Sequence, residues 1–271
     1  PPAQRGSVVG LTVSAMSLGS GLSIFYSGLF IAWFSWQALM VCTALGAGLG
    51  AWAVYSLGKL QIPTSNIAVS TALFKRLLHK PVLLINASYM GHMWELYTMW
   101  PWIGPFMVFV LAAQGYDVQK AAVYGNTLGG ISIIIGALAT WIGGKLSDVY
   151  GRTVMILVFL AGSTICSLCI GWMVYVPVSL LTVMVIVYGF LVVGDSPILT
   201  ATVADLAEPE IMGFTLGIQS VVGYGITIIS PAVFGLVLDT TQSWGWAFTS
   251  LGLGAFLGVV ALLFLRHTVH I

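Results

Sequence analysis

Polar and apolar positions along this chain segregate into long blocks. A helix crossing about 30 Å of hydrocarbon needs roughly 20 mostly apolar residues at about 1.5 Å each. Eight stretches of that kind follow one another, bounded by charge or turn residues: Gly6 to Phe30, Ser35 to Leu57, Val82 to Ala113, Ala121 to Ile142, Val154 to Val176, Ser179 to Ala204, Phe214 to Leu238 and Trp246 to Leu265. They are two to three times too long for barrel strands and lack the in/out alternation of a barrel. The pattern predicts an all-α fold, a polytopic membrane helical bundle. Composition agrees: 59% of the 271 residues are hydrophobic and only 6% charged. That excludes a soluble domain, a disordered chain, a disulfide scaffold and a nucleic-acid binder. The expected surroundings are the lipid bilayer, with no nucleic-acid partner.

Charge decides orientation rather than class. If the eight spans alternate, Arg5, Lys59, Lys75, Arg76, Lys80, Lys145, Arg152 and Arg266 share one side and Lys120 alone takes the other. The positive-inside bias makes the first side cytoplasmic, with both termini inside, and the expected location is the cell (plasma) membrane. Residues 58-80 form the longest hydrophilic connection, a central cytoplasmic loop in which Ser70 to Leu78 could lie as an amphipathic helix on the anionic leaflet.

The chain also repeats itself in part. Pro2, Gly6 and Gly10 before and within the first span recur as Pro209, Gly213 and Gly217 at the seventh, and Trp36 with glycines 46, 48 and 50 answers Trp246 with glycines 252, 254 and 258. A parallel repeat of this kind divides the chain into 1-57, the last two helices of a first bundle, the loop 58-80, and 81-271, a six-helix second bundle. On that logic the expectation is a fragment: eight helices of twelve, with about 130 residues upstream of a chain that opens on Pro1.

Between the fourth and fifth spans stands Gly144-Lys145-Leu146-Ser147-Asp148-Val149-Tyr150-Gly151-Arg152. This resembles the Gly-x-Leu-x-Asp-x-x-Gly-Arg loop of the major facilitator superfamily, which joins the second and third helices of each six-helix half. The resemblance covers the topology from the family's fifth helix to its twelfth. Val149 and Thr153 depart from it, standing where the family usually has basic residues. It implies a conformational latch of Gly144, Leu146, Asp148, Gly151, Arg152 and Asp205. Asp148 would face the positive N-terminal end of the first span, and Arg152 would pair with Asp205 or Glu208. It also implies that the first and fourth spans pack together, through a stripe of Gly10, Ser14, Ser17, Gly21 and Gly28 on one and Gly125, Gly129, Ser132, Gly136, Ala139 and Gly143 on the other.

Two acids lie inside spans, Glu95 and Asp195, each near the membrane midplane by helical rise. At 100° per residue the face around Glu95 collects Ser88, Gly91, His92, Thr98, Met99 and Trp102, whereas Tyr89, Met90, Met93 and Trp100 point away. The resemblance sends the third and sixth spans to a central cavity, and with them Glu95, His92, Asp195, Ser88, Thr98, Trp102 and Tyr188, with Gln219 from the seventh. Glu95 with His92 one turn away is the expected proton-coupling site, the alternative being a packing role for Glu95. Pro197 should break the sixth helix beside Asp195, and Pro101 and Pro105 should break the third.

Cys42, Cys166 and Cys169 read as packing residues. There is no nucleotide loop, triad or metal constellation, so no cofactor and no enzymatic activity are expected. The sequence thus points to a secondary transporter of a small solute, working by alternating access, coupled to protons and functional as a monomer when complete; no Lys or Arg lies within a span, which favours a neutral or cationic solute. A non-transporting receptor or scaffold of the same fold is the alternative.

Overall fold

In a computed structural model, residues 4–30, 35–57 and 79–268 are described. The central loop and its candidate amphipathic helix lie outside the described residues apart from positions 79 and 80. Ten α-helices make up the described residues: α1 (Arg5–Phe30), α2 (Trp36–Leu57), α3 (Lys80–Ala113), α4 (Val118–Tyr150), α5 (Arg152–Ile170), α6 (Val178–Gly194), α7 (Ser196–Leu206), α8 (Met212–Ile226), α9 (Ser230–Thr241) and α10 (Trp244–Thr268). A short 3-10 turn, Pro209–Ile211, precedes α8. Eight membrane-capable spans result, because α6 with α7 and α8 with α9 each form one crossing.

Proline explains some interruptions and fails to explain others. At the sixth span Pro197 cannot donate to the carbonyl of Val193, and the helix stops at Gly194 and restarts at Ser196, as expected. The expected breaks at Pro101 and Pro105 are corrected: α3 runs unbroken for 34 residues through both. Ile103, Gly104, Phe106 and Met107, between and just beyond the two prolines, are buried and packed, which holds the helix course where single hydrogen bonds are lost. The seventh span shows the reverse. It was read as continuous, yet it is interrupted over residues 227–229, just before Pro231, where only Thr215, Gln219 and Gly223 of α8 are buried.

Turns are fixed by local chemistry. Asp117 caps α4 by accepting from the amides of Gln119 (3.1 Å) and Lys120 (3.2 Å). Gln114, at the end of α3, donates to the carbonyls of Val174 (3.0 Å) and Val176 (2.9 Å), tying that end to the α5–α6 connection. Gly151, at φ +93°, is the one residue between α4 and α5, a conformation that L side chains rarely adopt.

The first and fourth spans do pack together, but through a different face of α4 than expected. A Cβ at Gly10 would lie 2.6 Å from the Thr140 carbonyl oxygen, one at Gly21 2.6 Å from Ile134, and one at Gly130 2.9 Å from the Phe25 nitrogen; one at Gly144 would strike the Gly6 carbonyl. The predicted stripe instead serves other neighbours. Gly125 meets Val108 and Gly129 meets Gly104, both on α3; Ser132 meets Gly189 and Gly136 meets Val193, both on α6; Gly143 meets Gly194. Helix α4 carries small residues on two faces, so small-residue spacing alone could not say which one α1 takes.

Two apolar clusters hold α3 to α10 together. One gathers Phe106, Phe234, Phe248 and Ile170 with Trp102 and Trp244 packed against it; the other gathers Ile85, Phe159, Ile198 and Leu262. Of the cysteines read as packing residues, Cys166 is buried but Cys42 and Cys169 are exposed.

If the α1–α4 contact is as tight as this, Gly144→Ala should lower stability by about 1–3 kcal/mol through overpacking against backbone. Gly162→Ala, whose new methyl meets only the flexible tip of Leu191 at 3.1 Å, should cost much less. Thermal unfolding in detergent, followed by tryptophan fluorescence, compares the two. Equal midpoints would mean that α1 does not seat on α4 in this way.

Candidate functional site

The residues read as a latch converge at one end of the bundle. There the start of α1, the end of α4, the start of α5 and the end of α7 meet. Asp148 accepts from the backbone amides of Gly6 (3.1 Å) and Ser7 (2.9 Å) and from the Ser7 hydroxyl (2.6 Å). These are amides of a first helical turn, which have no intrahelical acceptor, and a carboxylate there also meets the positive end of the helix dipole. Arg152 binds the same carboxylate at 2.6 Å, the Ser147 hydroxyl at 2.8 Å and Asp205 at 3.1 Å. Asp205 in turn pairs with Arg5. Gly6 must be small: a Cβ there would run into the Arg152 guanidinium, with Asp148 only 2.7 Å away. Gly144 lies against Gly6, Leu146 packs at the edge of the second apolar cluster, and Gly151 makes the turn that delivers Arg152.

Further from this end, α1, α3, α6, α7 and α8 enclose a cavity of about 200 Å³. On α1 the first cavity residue, Val13, is seven positions beyond Gly6, roughly 10 Å of helix. The α3 face on the cavity is not the polar one expected. Tyr89, Met93, Tyr97 and Trp100 line it; the helical phase sets Tyr89, Met93 and Trp100 away from the expected polar face, and Tyr97 is not among the residues it collects. The polar face turns into the bundle. Glu95 is fully buried and accepts from Ser163 (2.7 Å) and from Ser167, both on α5; Ser167 is also 2.7 Å from the Tyr188 hydroxyl on α6. Gly91 abuts Gly254 and Gly258 of α10, the Ser88 carbonyl faces Gly258, and Trp102 stacks on Phe234 with centroids 4.9 Å apart. Thr98 and Gln219 are buried, and the Thr98 hydroxyl and Gln219 amide nitrogen have no hydrogen-bond partner.

Glu95 and Asp195 therefore do not share the cavity. The physical reason is that α5 and α6 offer serines and a tyrosine to Glu95 and α10 offers glycines to the helix beside it, so the acid is held by protein although Ser88 and Thr98 on the same face keep unpartnered hydroxyls. Aromatic side chains, which tolerate both apolar and wet surroundings, are left on the cavity side.

Asp195 and His92 form a second buried group beside the cavity. His92 Nδ1 lies 2.9 Å from Asp195 Oδ1, at ion-pair distance without hydrogen-bond alignment, and both side chains are 1% exposed. His92 Nε2 is 2.7 Å from the hydroxyl of Ser196, which lines the cavity. Tyr89, also a lining residue, stacks on the imidazole at 6.0 Å. The helix break falls at Asp195, and of the residues beside it Val193 and Ser196 line the cavity while Asp195 stays behind the wall. Sequence reasoning missed Tyr97, Trp100, Thr200, Ser220 and Tyr224 as lining residues. The recurrence of Tyr89, Met93, Leu96, Tyr97 and Trp100 on one face of α3 was the available signal.

Eight membrane-capable spans, with a charged cluster at one end and a small cavity inside, define an integral, multi-pass helical membrane protein. The chain belongs to the Major Facilitator Superfamily, whose family model matches residues 1–231. It is 25% identical to a protein named hexuronate transporter from Bacillus subtilis (strain 168), over 98% of this chain and 66% of that protein. The chain thus spans about two thirds of that relative's length.

Two substitutions probe these groups. Asp148→Asn keeps the shape but gives up charge-assisted bonds to the α1 amides and to Arg152, and α1 docking should weaken by about 1.5–3 kcal/mol. A cysteine placed at Thr140, beneath Gly10, should then react faster with a membrane-permeant maleimide; an unchanged labelling rate would count against this docking. Glu95→Ala should destabilise more than Glu95→Gln, by about 0.5–1.5 kcal/mol for each hydrogen bond lost, since the Ser163 and Ser167 hydroxyls can fall back on the carbonyls of Leu160 and Ser163. Thermal unfolding in detergent orders the two, and equal midpoints would remove Glu95 as the acceptor of Ser163 and Ser167.

Proposed function

We propose that this protein is a secondary active transporter that moves a small solute across the cell membrane by alternating access, coupled to protons. In this reading α1 and α2 belong to one bundle and α3 to α10 to the other, and the termini lie on the cytoplasmic side. The observation that carries the reading is the pairing of a midway cavity with a dissociable charged closure at one end. Asp148, Arg152, Asp205, Arg5 and the first amides of α1 hold that end through polar contacts, beside the close approach of Gly6 and Gly10 to α4. Such contacts exchange readily for water, so the end can open without disrupting either apolar core.

The cavity is where solute binds, and the His92–Asp195 pair is where proton binding meets it. Ser196 touches both the cavity and His92, so a proton arriving from the cavity has a hydroxyl and an imidazole within hydrogen-bond reach. Glu95 and Tyr89 are the other titratable groups near the pair, and Glu95 completes the set of buried acids that a proton could occupy. Asp195 stands at the α6–α7 break and faces His92, so a change of charge on the pair acts where the helix is already interrupted, beside the cavity. The name of the Bacillus subtilis relative makes hexuronate the first solute to try.

The test is proton flux in proteoliposomes carrying a trapped pH-sensitive dye. An inward glucuronate gradient should acidify the lumen, and Asp195→Asn with His92→Gln should abolish the acidification while leaving exchange of labelled solute at equal concentrations intact. Flux that stays fully pH-driven in that double variant would sink the coupling assignment. Absence of any solute flux would favour a receptor or scaffold.

A further inference from the structure

The cavity wall offers more than volume. Its aromatic members come from two helices: Tyr97 and Trp100 of α3 lie 5.4 Å apart by centroid, and Tyr224 of α8 meets Tyr97 edge to face at 5.7 Å. Its hydroxyls are already committed in direction. Thr200 donates to the Ser196 carbonyl (3.2 Å) and Ser220 to the Leu216 carbonyl (3.0 Å), so both turn their proton to their own helix and keep lone pairs to accept with. Tyr97 donates to Tyr224 (3.4 Å), which leaves the Tyr224 proton to be donated. The wall therefore presents acceptors and a donor side by side.

That mixture selects a chemistry. An ammonium only donates and a carboxylate only accepts, whereas a hydroxyl does both. Among the described residues no Lys or Arg contributes to the lining, so no positive charge there matches an anion, and the Trp100 indole and Tyr224 hydroxyl supply only neutral donors. The one acid beside it, Asp195, is withdrawn from the lining and faces His92 at 2.9 Å, so a cation would be desolvated without a free counter-charge. Aromatic faces, by contrast, suit the C–H surface of a ring and impose no charge.

We infer that this wall is a subsite for an uncharged, hydroxyl-bearing ring, stacked on Trp100 and Tyr97, with its hydroxyls exchanged among Thr200, Ser220 and Tyr224. The inference rests on the reading of the cavity as the solute site. It assigns to this half of the cavity the ring of a sugar or sugar acid and assigns no part of it to the recognition of a carboxylate.

Binding, not flux, tests it. Purified protein in detergent is titrated calorimetrically with D-glucose, D-glucuronate, D-glucosamine and tetramethylammonium. Trp100→Ala should weaken glucose and glucuronate alike by about ten-fold, leaving the ratio of their affinities unchanged, while Trp100→Phe should lose less than about three-fold because a ring face remains. Monodisperse elution of each variant controls for folding, and Trp100→Phe serves if Trp100→Ala does not fold, paired with Tyr97→Leu. The inference is overturned if tetramethylammonium binds and the sugars do not, if neither sugar binds, or if loss of the Trp100 ring changes the glucuronate-to-glucose ratio. Sugar binding of the expected kind without flux in proteoliposomes would uphold this subsite and end the transport reading. Flux indifferent to Trp100 would do the opposite.

Discussion

A helix begins with amide protons that have no acceptor of their own, and at the start of α1 two of them, on Gly6 and Ser7, are taken by the carboxylate of Asp148. Much of the arrangement follows from that contact. It fixes the height of α1 against α4, so that Gly10 falls on Thr140 and Gly21 on Ile134, where no side chain larger than hydrogen fits. It also brings Arg152 within reach of both Asp148 and Asp205, and Asp205 within reach of Arg5. The cavity exists because α1, held this way, covers the aromatic face of α3.

The contact is also of a kind that can be given up. Apolar clusters bind α3 to α10 into one body, and breaking them would expose large side chains such as Phe106, Phe248 and Ile156. The junction with α1 contains glycines, serines and ion pairs, which lose little when parted because water or lipid headgroups can replace their partners. A seam of small residues closed by polar contacts is strong enough to define a state and weak enough to leave it. The division of labour between the apolar clusters and this seam is what an alternating mechanism requires of a structure.

Legibility from sequence followed how local each determinant was. The eight crossings are set by the length of apolar runs and could be read directly. The role of Gly151 could be read too, since a one-residue turn between helices at φ +93° needs glycine. Helix breaks were only half legible, because proline removes a bond whose loss is decided by surroundings: Pro101 and Pro105 sit in a well-packed helix that continues, while Pro231 follows a thinly packed one that stops. The facing of α3 was not legible. Its phase could be computed, but whether the polar side met a cavity or partner helices depended on Ser163, Ser167 and Tyr188, which lie 68, 72 and 93 residues away from Glu95 in the chain.

The displacement of Glu95 into the bundle changes what a buried acid means here. A carboxylate in hydrocarbon invites a functional reading because its charge is costly. Two serine hydroxyls donate to Glu95, with Tyr188 joined to one of them, so it ties α3 to α5 and α6 at the level of the cavity floor. Asp195 has no such donors, only His92 across a misaligned 2.9 Å approach at a point where the backbone is already broken. Of the two acids, the one with fewer stabilising bonds lies at the α6–α7 break. A group whose environment is incompletely satisfied responds to protonation by rearranging, whereas one held by several donors resists it. The asymmetry places the less satisfied acid at the α6–α7 break and the anchoring one on α3, a division that side-chain chemistry alone, the same carboxylate in both, does not draw.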